Sequence, residues 1–344
     1  MENTDQLFET LLNSEGFVNL GAIEKLLRPK GNSHHGILLN SLLQNNSLRI
    51  LQKDMEMLDL VPQTHPLSNI IHAQELAKSR GSNIYVACMP KSGSTYFAHT
   101  IARGLNYKFA LTTSSRVNNP SDFGVNGREQ EICELAIIKK ILMSEKKGVV
   151  AQHHTKACPY TAKTLLAYNF KLIVLIRNIF DIIVSADDML YKQADMRNPH
   201  NQGFRILPSK FNSMDPQVRY ESLAKTIGIF CIEFYWSWLR QKEMGTEFLE
   251  INYDKEIALD KGNKLHLANK VARFLDLDTS STENLKKIFS ERKINEQKAR
   301  FNKGLTKQGQ KISTKTKKFL IDYAKSFGTD FSSNDMEKLF GQNY

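Results

Sequence analysis

The stretch Asn83–Leu105, NIYVACMPKSGSTYFAHTIARGL, decides how the rest of the chain is read. It opens on an apolar run of strand formers, Ile84-Tyr85-Val86-Ala87-Cys88-Met89, which Pro90 breaks. Lys91-Ser92-Gly93-Ser94-Thr95 follow, small and polar, and from Tyr96 a helical pattern takes over with Phe97, Ile101 and Leu105 at four-residue spacing. A strand, a tight polar turn and a helix N-terminus in that order bind anions. The N–H groups of the first helical turn lack partners inside the helix, and the helix dipole favours negative charge there. Gly93 lets the backbone close around the anion, Lys91 adds a point charge, and Ser92, Ser94 and Thr95 add hydroxyl donors. The plainer alternative is a strand–loop–helix junction capped by Ser and Thr. The whole string PKSGST directly after a strand favours the phosphate loop.

This is not the loop of the nucleotide triphosphatases, GxxxxGK[ST], in which Lys follows the last Gly and precedes the magnesium-binding hydroxyl. Here Lys91 precedes Gly93. The next strong strand, Phe170–Ile176, ends in Arg177 rather than in the Asp that would hold a metal through water. The expectation is a phosphate held by protein cations, without Mg²⁺ or any other metal.

Composition narrows the class. A length of 344 residues allows one large domain, or a domain with an appendage. Met1–Leu11 carries Glu2, Asp5 and Glu9, and no stretch approaches about 18 uninterrupted apolar residues, so neither a signal peptide nor a membrane span is expected and the cytoplasm is the default. Cys88, Cys133, Cys158 and Cys231 are scattered with no C-x-x-C pair, which argues against a disulfide framework or a zinc site. A net charge of +11 predicts an anionic partner. The charge is spread along the chain, densest over Lys286–Lys318, without a helix-turn-helix or an aromatic-basic RNA motif. A small polyanionic cofactor accounts for the excess as well as nucleic acid does, and no nucleic-acid partner is expected.

Residues 1–81 read as a helical N-terminal extension, with Leu7, Leu11 and Leu12, then Ile23, Leu26 and Leu27, then Leu38, Leu39, Leu42 and Leu43 at helical spacing. It packs on the main domain or serves a partner, a second copy of the chain included. His34-His35 is read as part of a loop rather than as a metal pair. Residues 82–344 form the main domain. Its expected elements are a loop over Thr112–Gly127, a helix over Glu129–Glu145 and a strand over Gly148–Ala151 running into Gln152-His153-His154. A helix over Tyr160–Tyr168 and the buried strand Lys171–Ile176 follow. Asp181–Ala186 starts a helix. Met189–Tyr220, with Pro199, Pro208 and Pro216, reads as a loop or lid, and Ser222–Arg240 as an aromatic-rich helix. A strand over Glu247–Tyr253, helices over Leu265–Leu275 and Asn284–Phe289, a basic loop over Lys298–Lys311 and a closing helix over Thr314–Phe327 complete it. Strands alternating with helices predict a three-layer α/β fold around a central parallel sheet. Ligands gather at the C-terminal ends of such strands, where Pro90, His154 and Arg177 fall. An Arg fork at Arg177 with the Ser185 hydroxyl is a good receptor for a second phosphate, although a structural salt bridge would explain Arg177 as well.

Together these motifs resemble the PAPS-dependent sulfotransferases, whose cofactor is 3′-phosphoadenosine 5′-phosphosulfate and whose fold is P-loop-like. The family's 5′-phosphosulfate loop, PKSGTTW, looks like Pro90–Tyr96. Its 3′-phosphate segment, RNPxDxxVS, looks like Arg177-Asn178-Ile179-Phe180-Asp181-Ile182-Ile183-Val184-Ser185, with Ile179 in place of Pro. The resemblance covers roughly Asn83 to Lys318. It implies that Lys91, Ser92, Gly93, Ser94 and Thr95 hold the 5′-phosphosulfate and that Tyr96 offers an aromatic face to adenine where the family often has Trp. It also implies that Arg177 and Ser185 bind the 3′-phosphate and that Tyr253 lies near the adenine. Phe301-Asn302-Lys303-Gly304 looks like the family's FxRKG loop, implying roles for Lys303 and Gly304, with Arg300 as a substitute for the Arg that Asn302 replaces.

Sulfuryl transfer needs in-line positioning, cations around the oxygens that gain charge, and a base for the acceptor's hydroxyl proton. Lys91 suits the departing phosphate. The family's catalytic His follows the strand that precedes the 3′-phosphate strand, where Gln152-His153-His154 stands. Strand alternation puts Gln152 and His154 on one face and His153 on the other. His154 is the expected base and His153 its reserve, with Glu129 or Glu131 next in line. The expected function is sulfuryl transfer from PAPS, leaving PAP, to a hydroxyl or amine of a small-molecule or carbohydrate acceptor. The polar composition of the two long loops points toward an aliphatic alcohol, a sugar or a natural-product intermediate. The rivals are a P-loop-type nucleotide-dependent kinase and a non-catalytic nucleotide-binding protein.

Overall fold

Five short runs pair in register to make the centre of the molecule: β1 (Asn83–Cys88), β2 (Lys108–Ala110), β3 (Val149–His153), β4 (Phe170–Ile176) and β5 (Leu249–Asn252). The computed structural model describes residues 66–110, 112, 132–194, 211–258, 261–291 and 307–342. All pairings among these strands are parallel, in the order β2-β3-β1-β4-β5. Val86 on β1 stands opposite Gln152 on β3 and Ile173 on β4, so β1 is the middle strand and is buried along its whole length. That burial on both faces is why β1 and β4 read as continuous apolar runs rather than as alternating ones.

Helices cover both faces. After β1 comes α2 (Ser94–Gly104), whose Phe97, Ala98 and Ile101 join Ile84, Val86 and Cys88 in one apolar core. The same core takes Leu267 and Val271 from α8 (Lys261–Phe274) and Leu285 and Phe289 from α9 (Thr279–Ser290). The alternate β1 residues Tyr85 and Ala87 point to the opposite face and are equally buried. There the Tyr85 hydroxyl donates to Thr155 Oγ1 at 2.8 Å, and Trp238 of α7 (Ile229–Glu243) donates its indole N–H to the Thr155 carbonyl at 3.1 Å. Helix, sheet, helix is the three-layer α/β arrangement the sequence predicts.

The remaining elements are α1 (Pro66–Ser79), α3 (Glu134–Leu142), α4 (Pro159–Ala167), α5 (Ile179–Ala194), α6 (Pro216–Leu223), α10 (Thr314–Lys325) and α11 (Ser333–Phe340). The chain divides into two compact units, Met1–Glu75 and Leu76–Tyr344. Of the expected helical extension over 1–81, residues 1–65 lie outside the described part, and α1 spans the boundary between the units. Among the described residues no helix is long and apolar enough to cross a membrane. All four cysteines are free thiols.

Several expectations need correction. The expected loop over Met189–Tyr220 is helical at both ends. Helix α5 runs on to Ala194, and α6 begins at Pro216, where Asp215 accepts from the Gln217 N–H at 2.8 Å and the proline occupies the first turn. Proline there starts a helix, because the missing N–H would have had no partner anyway. The aromatic-rich helix expected over Ser222–Arg240 is present and longer than expected: helical backbone runs unbroken from Pro216 to Glu243, as α6, a π stretch over Ala224–Gly228 and α7. The helix expected over Glu129–Glu145 is described from Glu134 and ends at Leu142. The chain also does not close at Phe327. Helix α11 follows, started by a capping box in which Ser332 and Asp335 bond each other's backbone N–H.

Candidate active site

Each of the three central strands delivers one chemical group to the same edge of the sheet. After β1, Met89-Pro90-Lys91-Ser92-Gly93 turns sharply into α2. Lys91 and Gly93 both adopt the left-handed conformation, with φ of 60° and 71°. Ser92 is fully buried and donates its hydroxyl to the Met89 carbonyl at 2.7 Å, closing the turn from inside. The first bond of α2 runs from the Phe97 N–H to the Gly93 carbonyl at 3.0 Å, and no side chain caps the helix. The N–H groups of Ser94, Thr95 and Tyr96 therefore have no acceptor within the helix, the condition for an anion site. Lys91 extends its ammonium to Met189 Sδ of α5 at 3.6 Å. Ser185 lies one helical turn before Met189, on the same face. Lys91 and Ser185 thus belong to one side of α5.

At the end of β4, Arg177 is buried, and its Nη1 donates to the Lys91 carbonyl at 2.6 Å. Its guanidinium lies 4.4 Å from the centre of the Tyr253 ring, a cation–π contact in a desolvated setting. Tyr253 follows directly on β5, and its ring also lies under Gly93. A Cβ on Gly93 would stand 2.7 Å from Tyr253 Cε2. Side-chain size at Gly93, the Tyr253 ring and the Arg177 fork are therefore mutually fixed. Asp254, the next residue, accepts from the Asn178 N–H at 2.8 Å and stands 3.7 Å from Arg177 Nε. Burial pushes the Asp254 carboxyl up, more strongly than the Asn178 N–H and Arg177 pull it down. Tyr96 is half-buried, with Lys264 Nζ 5.8 Å from its ring centre.

The end of β3 carries the two histidines, and they part company. His153 is fully buried beside Tyr85, and its Nε2 accepts from the Thr112 N–H at 3.0 Å. Desolvation and the neighbouring His154 push its pKa down to about 3. It is a neutral core residue. His154 is part-exposed and approaches the Cys88 carbonyl with Nδ1 at 2.8 Å. A carbonyl only accepts, so Nδ1 carries the proton and Nε2 is left with the basic lone pair. Gln152 reaches the same residue, donating from Nε2 to Cys88 Sγ at 3.1 Å. Gln152 and His154 thus share a side and His153 takes the other, as alternation along the strand predicts.

Lys303 and Gly304, together with Arg300–Asn302 and the reserve bases Glu129 and Glu131, lie outside the described residues. Asp181 and Asp254 hold the site together, and sequence reasoning gave neither of them a role. Asp181 of α5 accepts from the Lys307 and Gly309 N–H groups, at 2.7 Å each, and Asp254 is described above. Among the described residues no cluster of His, Cys, Asp and Glu could hold a metal ion.

No family model matches the chain, and no curated protein is significantly similar to it in sequence. Among solved structures, it is similar to the mouse sulfotransferase SULT7A1 complexed with PAP, at 18% identity and a TM-score of 0.47, over 72% of this chain and 85% of that one.

Proposed function

We propose that this chain is a sulfotransferase that moves a sulfuryl group from PAPS to a hydroxyl, or an amine, of a small-molecule or carbohydrate acceptor. One observation carries the reading: the ends of β4 and β3 both grip the end of β1. Arg177 donates to the Lys91 carbonyl, and His154 donates to the Cys88 carbonyl. Two cations and a base are thereby gathered on one edge of a parallel sheet, around a glycine-bearing turn and an uncapped helix start.

These residues suit a nucleotide with two separate phosphate groups. Lys91, the N–H groups of Ser94, Thr95 and Tyr96, and the hydroxyls of Ser94 and Thr95 form one receptor. Arg177 and Ser185 form the other, with Tyr96 offering an aromatic face beside them and Tyr253 packed against the Arg177 guanidinium. PAPS supplies, when bound, a sulfuryl group already activated by its 5′-phosphate leaving group. The chain's own part is electrostatic and positional. Lys91 puts positive charge where the leaving oxygen gains negative charge, in a site whose groups are already oriented. Arg177 has its fork braced by the Lys91 carbonyl and its face by Tyr253, so little freedom is lost on meeting a phosphate. His154 takes the acceptor's proton at Nε2, because its Nδ1–H is committed to Cys88.

The test is calorimetry on the full chain with PAP, AMP and ADP, with and without Mg²⁺. PAP should bind at least about tenfold more tightly than AMP, since a desolvated Arg–phosphate pair is worth roughly 2–5 kcal/mol. It should do so without Mg²⁺. Equal affinity for AMP, or binding only with Mg²⁺, would overturn the proposal in favour of a kinase or a general nucleotide binder. Turnover with labelled PAPS and pooled acceptors then identifies the acceptor class.

A further inference from the structure

We propose that Asp181 is a positioning residue for nucleotide binding: its carboxylate clamps the backbone of Lys307 and Gly309 onto α5 beside Ser185. This rests on the sulfotransferase reading, which places the 3′-phosphate at Arg177 and Ser185. Asp181 is 4% exposed, and each of its oxygens takes one backbone N–H, from Lys307 and from Gly309, both at 2.7 Å. Its own N–H donates to Asn178 Oδ1 at 3.2 Å, which fixes the first turn of the helix. Ser185 stands four residues on, so the clamp and the hydroxyl share one helix face.

Two further features show how tightly the clamped segment is set. Gly309 lies directly on Phe180, where a Cβ would come within 2.4 Å of the Phe180 Cβ. Lys307 adopts φ of 62°, a conformation that costs a residue with a side chain energy and persists where the surroundings enforce it. Its bond to Asp181 is one such constraint.

The sign of the charge makes the inference testable. A carboxylate beside an anion site is electrostatically unfavourable, so neutralising it should strengthen phosphate binding if charge were its only effect. The clamp predicts the opposite. In the Asp181→Asn variant one of the two backbone N–H groups faces an amide NH₂ and loses its acceptor. PAP should then bind about tenfold more weakly, the size expected for losing a hydrogen bond to a charged group. AMP, which lacks the 3′-phosphate, should change by less than about twofold. Hydrogen exchange at the amides of Lys307 and Gly309 should quicken in the free variant. Gly309→Ala, which displaces the segment while Asp181 stays intact, should weaken PAP in the same direction, and it decides the matter if Asp181→Asn does not fold. PAP binding as tight as in the parent, or tighter, would overturn the inference, as would equal losses for PAP and AMP. If the parent binds no PAP at all, the nucleotide reading fails, while the exchange data still accept or reject the clamp.

Discussion

Adding one methyl group at Gly93 should test the most constrained point of the site. Two costs can be worked from the geometry. Gly93 has φ of 71°, which a residue with a Cβ adopts at a cost of about 1–2 kcal/mol. The new Cβ would also meet Tyr253 Cε2 at 2.7 Å and Cδ2 at 2.9 Å, with Ile257 Cγ2 at 3.6 Å closing the third side. Tyr253 is 5% exposed and packed under Arg177, so its ring has little room to retreat. Overpacking of this kind costs about 1–3 kcal/mol. Gly93→Ala should therefore lose about 2–5 kcal/mol of stability, read from urea unfolding. A double-mutant cycle separates the two parts. In a Tyr253→Ala background the steric part disappears and only the backbone part remains, so the coupling energy should be about 1–3 kcal/mol. Additivity within about 0.5 kcal/mol, or a Gly93→Ala protein as stable as its parent, would refute the close packing of glycine, tyrosine and arginine.

Three other outcomes are expected. Single-turnover transfer at saturating PAPS should fall by about 10²–10⁴-fold in His154→Ala with nucleotide affinity nearly unchanged, whereas Lys91→Ala should damage both. A dead His153→Ala beside a near-normal His154→Ala would reverse the assignment. Stability should fall on acidification below about pH 6.5, because the unfolded chain takes up a proton at His153 that the fold, with a pKa near 3, refuses. From pH 6.5 to 5 this amounts to about 2 kcal/mol in urea unfolding, and His153→Phe should lose that part of the slope. Arg219 and Asp187 form a buried fork with contacts of 2.7 and 3.0 Å that ties α6 to α5, so Arg219→Met should cost about 3–5 kcal/mol by stranding the Asp187 carboxylate. A thermal midpoint within about 2 °C of the parent's would count against that pair as a structural tie.

The central strands and the turn after β1 were legible because their signals are local. Pro90, Gly93 and the polar run between apolar segments stand together, and β4 is one unbroken apolar string. The two histidines were separable for the same reason, since period-two alternation needs only the strand. Strand β2 gave no such signal: Lys108-Phe109-Ala110 pairs with β3 alone at the sheet edge, too short for any period to show. Pro216 reads as punctuation inside a loop, although Asp215 before it is a capping residue. Helix α11 carries its own mark in the Ser332–Asp335 capping box, beyond the helix at which the sequence pattern closes the fold at Phe327. The site's two carboxylates were out of reach in another way. Asp181 finds its partners at Lys307 and Gly309, and Asp254 finds its partner at Asn178, pairings that no local pattern encodes.

The central place of β1 has a consequence for how the chain is made. Its two neighbours are β3 and β4, and both come later in the sequence. Roughly 90 residues must leave the ribosome after β1 before β4 is available, which at about 5–20 residues per second takes on the order of 5–20 s. For roughly the first 65 of those residues, until β3 is complete, an apolar strand destined for complete burial has neither of its partners, and until Arg177 follows β4 the turn behind it lacks its brace. Transiently exposed apolar surface of this kind is prone to aggregation. Slowing synthesis between Leu105 and Phe170 should therefore lower the yield of folded protein more than an equal delay placed after Ile176.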